Sequence, residues 1–362
     1  MIHSLAGGGA ERVMAGLASA LSERNHQVTL ITLDDGRQDR YELAAAVQRA
    51  SLDVMGTSCG VLAALRNNSR RMMRLRQAIQ TSRPDVVLSF CDRNNVLTLL
   101  ATRGLRVPVV ISEHSNPAAQ RLPRPWEWLR RQIYRRASAV VVLTRAAAQT
   151  VAPWAAQPPI EIPLGVQPPP GLERSMADNG DATTVRTLVA VGRLEIEKGF
   201  DQLLQAFALV AQLHPQWNLV IHGEGSCRES LEQQCRQLGI AERVGFPGWT
   251  RPIWPALQSS DLFVLPSRYE GFPTALLEAM AAGLPCVAFD CSHGPAVMIR
   301  HEVDGLLVPS GEITALAAAL QRCMSDAALR ATLGSRASEV TQRFGWQAMV
   351  DAYEHVLKSQ CH

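Results

Sequence analysis

Short apolar runs, each closed by a turn residue and followed by a helical pattern, recur along this chain and limit what it can fold into. Val28–Leu33, Val86–Phe90, Val107–Ser112 and Ala139–Thr144 read as strands in the first half. The second half repeats the alternation with Thr187–Val191, Trp217–His222, Arg243–Phe246, Asp261–Leu265, Pro285–Phe289 and Gly305–Pro309. Strands this short and apolar are buried on both faces, which predicts parallel sheets covered by helices. At 362 residues there is room for two such α/β domains, and two in tandem imply a cleft. The spacing predicts a first domain over 1–168, a linker over 169–184 marked by PPPG and a polar run, and a second domain over 185–344. In parallel sheets, functional residues gather at the C-terminal ends of the strands.

The strand expected ahead of the first helix has only Met1 to Leu5 to draw on, a stub. Hydrophobic residues make up 47% and charged residues 19%, which excludes a disordered chain. No apolar run reaches the roughly 20 residues that a bilayer crossing needs. MIHSLAGGGAER lacks the basic segment and long apolar core of a secretory signal. Eight cysteines without a CxxC pair argue against a zinc site or a disulfide framework and suit a reducing cytosol.

The net charge of +3 is unevenly spread: residues 1–168 hold 21 Arg and no Lys against 12 acids, a net of +9, and the remainder carries −6. Nucleic acid and an anionic membrane surface both answer to that sum. Between Val61 and Gln80, Arg66, Arg70 and Arg74 recur at i, i+4 and i+8 with Arg71 beside them, while Leu65, Met72, Leu75 and Ile79 fall opposite. A second basic helix, Arg124 to Arg136, mixes Trp126, Trp128, Leu129, Ile133 and Tyr134 with Arg130, Arg131, Arg135 and Arg136, a composition suited to a membrane interface. A solvated helix face is the plainer reading of either.

Pro266 to Pro285 carries Glu270 and Glu278 with seven residues between them, the first on a strand-to-helix loop and the second inside the helix. Free amides at such a helix start attract an anion, usually phosphate. Carboxylates beside a phosphate site suit hydroxyl groups, and diphosphate plus hydroxyls describes a nucleotide sugar; solvated glutamates are the alternative. On another strand-to-helix loop, Gly192 to Gly199, Arg193 and Lys198 can neutralise a diphosphate or stand as surface charges. Lys198 is one of two lysines in a chain with 34 arginines, so compositional habit does not account for it. Gly7, Gly8 and Gly9 open the first helix, but Arg12 occupies the third glycine position of a dinucleotide fingerprint. His114 directly follows a strand, and Gly223-Glu224-Gly225 another.

Taken in order, GGGAER, EHSNP, GRLEIEKG, HGEG, EGFPTALLE and GLLVPSG resemble the retaining glycosyltransferases of family 4 (group 1) over nearly the whole chain. The resemblance implies a GT-B fold: two Rossmann-like domains with parallel sheets facing across a cleft, and a final helix, residues 345–362, crossing back to the first domain. It implies that Arg193 and Lys198 hold a donor diphosphate, that Glu278 accepts from the ribose and that Glu270 and His114 contact the transferred sugar. Gly271, Phe272, Pro273 and Thr274 would serve the phosphates and sugar, Gly223 and Gly225 would line the donor site, and Gly8 and Gly9 would close over the diphosphate. SFCDRNN and ISEHSNP are similar to a narrower bacterial group that extends lipid-linked glycans, including N-acetylgalactosaminyltransferases. One departure is Gly294-Pro295-Ala296-Val297, where relatives often have glutamate at the last position.

The activity that the resemblance implies is transfer of a hexose or N-acetylhexosamine from a nucleotide sugar, most simply UDP-linked, to a lipid-linked or surface-glycan precursor. No metal is required, since two cations and a helix N-terminus face the leaving charge and no Asp-x-Asp is present. His114, Arg193, Lys198 and Glu270 are the catalytic candidates. Arg66, Arg70, Arg71 and Arg74 are candidates for an anionic acceptor head group or membrane surface, with the protein peripheral on the cytoplasmic face and no nucleic acid as partner. The rivals are a non-catalytic GT-B subunit supporting a partner enzyme and a dinucleotide-dependent oxidoreductase.

Overall fold

The computed structural model describes the chain apart from residues 57–60, 116, 119–122, 170, 172–184, 292–293 and 362, with residues 61–65 described by backbone alone. Most of the linker expected over 169–184, and the side chain of Leu65, lie outside the described residues. The chain forms two compact units, Met1–Leu164 with Gln347–His362, and Gly165–Trp346.

The first unit contains β1 (Thr29–Thr32), β2 (Gln48–Ser51), β3 (Val87–Phe90), β4 (Val109–Glu113), β5 (Ala139–Val142) and β6 (Ile160–Glu161). β3 to β6 form one parallel sheet, and β1 pairs in parallel with β2. The stub at the start joins the two. Ile2 N donates to Ile31 O (3.2 Å), Leu33 N to His3 O (3.0 Å) and Phe90 N to Met1 O (3.0 Å), while the terminal amine donates to Leu88 O (2.7 Å). Three residues thus occupy the central strand position, and chain order reverses on either side of them. β2 carried no apolar signal, because Gln-Arg-Ala-Ser lies at the sheet edge with both ends exposed.

The second unit is built on β7 (Arg186–Val191), β8 (Trp217–His222), β9 (Val244–Gly248), β10 (Leu262–Leu265), β11 (Cys286–Asp290) and β12 (Leu306–Pro309). They form one parallel sheet in the order β12-β11-β10-β7-β8-β9, with Leu262 beside Leu188 and Phe263 beside Val189. Leu188, Ala190, Leu219, Leu262, Val264 and Val287 are buried in its core. The reversal of strand order between β7 and β10 is the doubly wound pattern, in which a crevice opens where the two neighbouring loops depart in opposite directions.

The two basic helices differ from their sequence reading. Along Val61–Ser82, Leu75 and Ile79 are buried and Arg66, Arg70 and Arg74 exposed, but Arg71 turns inward, donating to Val54 O (3.0 Å) and Gly56 O (2.9 Å). Arg71 therefore satisfies a neighbouring loop's carbonyls. In the Arg124–Ile133 helix, Arg130 is 0% exposed, reaching Glu127 at 2.7 Å and lying 4.7 Å above the Trp154 ring. Ile133 and Tyr134 are buried beside it, so this side of the helix is core, not a membrane face; Trp128, 65% exposed, points away. The last helix, Trp346–Lys358, packs on the first unit through buried Tyr353, whose ring lies 5.8 Å from that of Phe90. Arg24 reaches Glu354 (2.5 Å) and Asp351 (2.6 Å) on it. Bonds from Lys358, His26 and Arg24 draw the Glu354 carboxyl down to about 2.

Candidate active site

The loops after β7 and β10 leave adjacent strands at the point where strand order reverses. The β7 loop ends in a tight turn, Ile196–Lys198, and Gly199 then starts the Phe200–Ala211 helix. The β10 loop runs through Ser267, Glu270 and Phe272 to the Thr274–Ala281 helix, whose N-cap, Pro273, makes no side-chain capping bond. A proline cap leaves the first amides of that helix without a side-chain acceptor. Gly199 lets the two loops touch: its φ is +67°, and an added Cβ would stand 2.0 Å from Pro266 O. No side chain fits that spacing, and the backbone there is one that side chains rarely adopt.

Contact between the loops brings Lys198 Nζ to 2.7 Å from Glu270 Oε1, which also accepts from Ser267 Oγ at 2.7 Å. The Lys198 side chain is 20% exposed and that of Glu270 8%, so the pair stands at the wall of the crevice. Cys291, at the end of β11, lies in the same field; burial, with the Glu270 charge adding to it, pushes its thiol up to about 12. Arg193 is placed differently, 69% exposed and bonded to Glu197 (3.0 Å). Together the two cations offer a largely enclosed ammonium and an exposed guanidinium on one loop.

Glu278 is 3% exposed inside the Thr274–Ala281 helix, and Arg251 Nη1, from the segment after β9, stands 3.5 Å from its Oε1. Phe272 is buried, its ring edge-on to that of Phe344 with centroids 5.8 Å apart, and so anchors the loop. Gly223, with φ +151°, lets the β8 loop lie on the β7 loop: a Cβ there would meet Gly192 O at 1.8 Å. Its amide donates to Gly248 O (2.9 Å), and Leu194 N donates to Glu224 O (2.9 Å) across the same contact. Gly225 likewise abuts Leu194. These two glycines set the position of residues 192–194 through backbone packing. Glu195 caps the arrangement, and the bonds it accepts from Ser226 hold its carboxyl below the usual carboxylate range.

In the first unit, the reversal point lies between the Met1–His3 stub and β3. Gly8 caps the Gly9–Glu23 helix without a side-chain bond, and its amide donates to the Tyr41 hydroxyl (3.0 Å), which donates back to Gly8 O (2.8 Å). Cys91, ending β3, has φ +73°. His114 follows β4 with its ring 4.0 Å from that of Phe90 and Nε2 3.1 Å from Ser112 Oγ, which itself bonds Tyr353 OH at 2.8 Å. Burial lowers the His114 imidazole to about 3, so it is neutral at physiological pH and contributes a hydrogen-bonding group, not a charge.

Within the second unit, then, Arg193, Lys198, Gly223, Gly225, Glu270, Gly271, Phe272, Pro273, Thr274 and Glu278 belong to loops and one helix start at the same sheet edge, whereas Gly8, Gly9 and His114 belong to the corresponding edge in the first unit. Arg66, Arg70 and Arg74 stand on a helix surface of the first unit. Sequence reasoning missed Ser267, Arg251, Arg268 and Asp201. Only Ser267, three residues before Glu270, carried a local signal.

The family described as Glycosyltransferase Family 4 matches residues 7–168, and that described as Glycosyl transferases group 1 matches residues 173–340. An exopolysaccharide phosphotransferase of Streptomyces coelicolor is 37% identical over 60% of this chain, and the alignment spans only 23% of that longer protein. A Campylobacter jejuni alpha-1,4-N-acetyl-D-galactosaminyltransferase, whose name gives a diNAcBac-PP-undecaprenol-linked glycan as substrate, is 29% identical over 95% of this chain and 93% of its own. The structure of Anabaena HepE in complex with UDP and glucose superposes with a TM-score of 0.80 at 21% identity, covering 99% of this chain and 98% of that one. With both domain families matched in order along the chain, it belongs to the family 4 (group 1) glycosyltransferases and has the GT-B fold.

Proposed function

We propose that the protein is a retaining glycosyltransferase that moves a hexose or N-acetylhexosamine from a UDP-sugar to a lipid-linked or surface-glycan precursor, working as a peripheral protein on the cytoplasmic membrane face. The observation that carries this is the Lys198–Glu270 contact beside the Thr274 helix start, at the strand-order reversal of the second unit. The Campylobacter relative's lipid-linked substrate and the UDP and glucose bound by HepE support the choice of acceptor and donor.

In this reading Lys198, Arg193 and the first amides of the Thr274–Ala281 helix take the diphosphate, and Glu278 accepts from the ribose hydroxyls after Arg251 gives way. The bond between the anomeric carbon and the phosphate oxygen breaks while the acceptor hydroxyl oxygen bonds to that carbon from the same face. The hydroxyl proton passes to the departing phosphate oxygen. Charge builds on the diphosphate as the sugar becomes oxocarbenium-like, and preorganised cations stabilise that charge more than the ground state. Glu270 holds a sugar hydroxyl, and neutral His114 contacts the sugar by hydrogen bonding. No metal enters this scheme.

Incubation of the purified protein with a panel of UDP-sugars and a lipid-pyrophosphate glycan, scored by UDP release and glycan mass, tests the reading. Transfer with retained anomeric configuration is expected; binding without turnover on every donor would leave the non-catalytic subunit standing instead. For the acceptor side, replacing Arg66, Arg70 and Arg74 together by Glu is expected to cut transfer to the lipid acceptor by at least about tenfold while leaving donor hydrolysis unchanged, as loss of several contacts to an anionic head group or surface requires. Equal loss of both activities would remove the proposed role of that stripe.

A further inference from the structure

Arg268 touches none of the groups assigned above, yet it is the most heavily engaged side chain on the β10 loop. Its guanidinium donates from Nη1 to Asp201 Oδ1 (2.7 Å) and from Nη2 to Asp201 Oδ2 (2.6 Å), a two-pronged ion pair with the first turn of the Phe200–Ala211 helix. Nη1 also donates to Ile196 O (2.7 Å), and the Arg268 amide donates to Glu197 O (2.9 Å). All four bonds land on the tight turn that carries Lys198 or on the helix that continues from it. Beyond this clamp, the loops meet at the bare Gly199 α-carbon against Pro266 O and at the Lys198–Glu270 contact itself.

Consider Lys198 when a diphosphate arrives. Its ammonium must turn from Glu270 toward the phosphates or be shared between them, and a lysine stem has four rotatable bonds with which to miss. The aliphatic stem runs past Gly192, where an added Cβ would lie 3.5 Å from Lys198 Cδ, so the stem has room on that side to turn. That motion delivers charge to a defined place only if the main chain of residues 196–198 stays fixed against the loop that carries Glu270. A carboxylate–guanidinium fork is suited to such a task, because two parallel bonds fix orientation as well as distance.

We infer that the Arg268–Asp201 clamp is the positioning element for Lys198: it holds the Ile196–Lys198 turn at the spacing from the Glu270 loop at which the ammonium can serve both the carboxylate and the donor diphosphate. The inference rests on the donor site proposed above and adds residues that act on the ligand only through Lys198.

The test is a double-mutant cycle read by calorimetric UDP affinity and by transfer, with thermal melting recorded for each variant. Arg268→Ala is expected to weaken UDP binding and lower kcat/KM by about tenfold or more, the scale at which a displacement of order 1 Å is felt. In a Lys198→Ala background the same change is expected to cost almost nothing further, since the group it positions is gone. Arg268→Lys, which keeps the charge without the fork, should recover less than half of the loss on a logarithmic scale. Should Arg268→Ala fold poorly, Asp201→Asn opens the same cycle with the guanidinium retained. Equal losses with and without Lys198 would overturn the positioning role and reduce the clamp to general stability, as would undiminished UDP affinity in Arg268→Ala. If Lys198→Ala alone leaves UDP affinity intact, the donor-site reading fails first and this inference with it, a result distinct from either of the others.

Discussion

Lys198→Ala is expected to reduce sugar transfer by about 10²- to 10³-fold, the loss that results from removal of one preorganised donor to a developing anion. Three features of the fold make this side chain hard to replace. It stands where strand order reverses, it is mostly enclosed, and it is held 2.7 Å from Glu270 before any ligand arrives. Water filling the gap would have to be ordered as charge builds, whereas the ammonium brings a full charge that has only to turn from Glu270 or be shared with it. Arg193 alone does not make up the loss, because its guanidinium is 69% exposed and water screens its charge. The Glu278→Ala variant separates donor contacts: it should lose affinity for UDP yet keep whatever affinity the site has for inorganic pyrophosphate, whereas Lys198→Ala should lose both. Steady-state transfer and calorimetry with the two ligands check these outcomes, and transfer by Lys198→Ala within about threefold of the parent would sink the donor-site assignment.

Sequence made the sheets legible wherever a strand is buried on both faces. Leu262–Leu265 and Cys286–Asp290 were readable as apolar runs because neighbours cover them above and below. Gln48–Ser51 was not, since an exposed edge strand need bury nothing, and its ladder to β1 is joined by polar side-chain bonds such as Arg49 to Thr32, which leave no apolar pattern. The same logic divides the site. Glu270, Arg193 and Lys198 sit within short loops, and Glu278 in the helix that follows one of them, where the residue types report their chemistry locally. Arg268 with Asp201, and Arg251 with Glu278, join positions 67 and 27 residues apart, and no local pattern reports a partner brought in by a sheet. Charge runs misled for a related reason: helical periodicity says which side chains share a face, but not whether a buried carboxylate waits on the other side. Arg71 and Arg130 belonged to arginine-rich helices by pattern and to loop anchoring and the core by contact.

Arg130 leads to the largest expected effect on stability. Its side chain is fully enclosed, with Glu127 at 2.7 Å, Glu113 at 3.9 Å and the Trp154 ring beneath. Glu113 is enclosed too, accepting from Tyr134 OH (2.7 Å) and Ser115 Oγ (2.7 Å), and burial, reinforced by the Asp92 charge, raises its carboxyl above the ordinary value while Arg130 opposes that rise. Arg130→Ala removes the opposing cation and leaves a buried carboxyl beside an emptied space, for which a loss of about 3–5 kcal/mol is expected. The pH dependence carries a sign. A carboxyl whose folded value lies above its unfolded one binds its proton more tightly in the native state, so the stability it contributes is present at low pH and lost as pH rises through the raised value. Without Arg130 that value rises further, and the deficit measured by urea denaturation should be greater at about pH 8 than at about pH 5. Adding Glu113→Gln to Arg130→Met, which fills the space and removes the charge together, should return most of the loss, because a buried pair exchanged for neutral groups of similar volume is often close to neutral. A deficit in Arg130→Ala that does not change with pH would mean that Glu113 finds water in the variant, and the account of this core as one held by opposed buried charges would have to be abandoned.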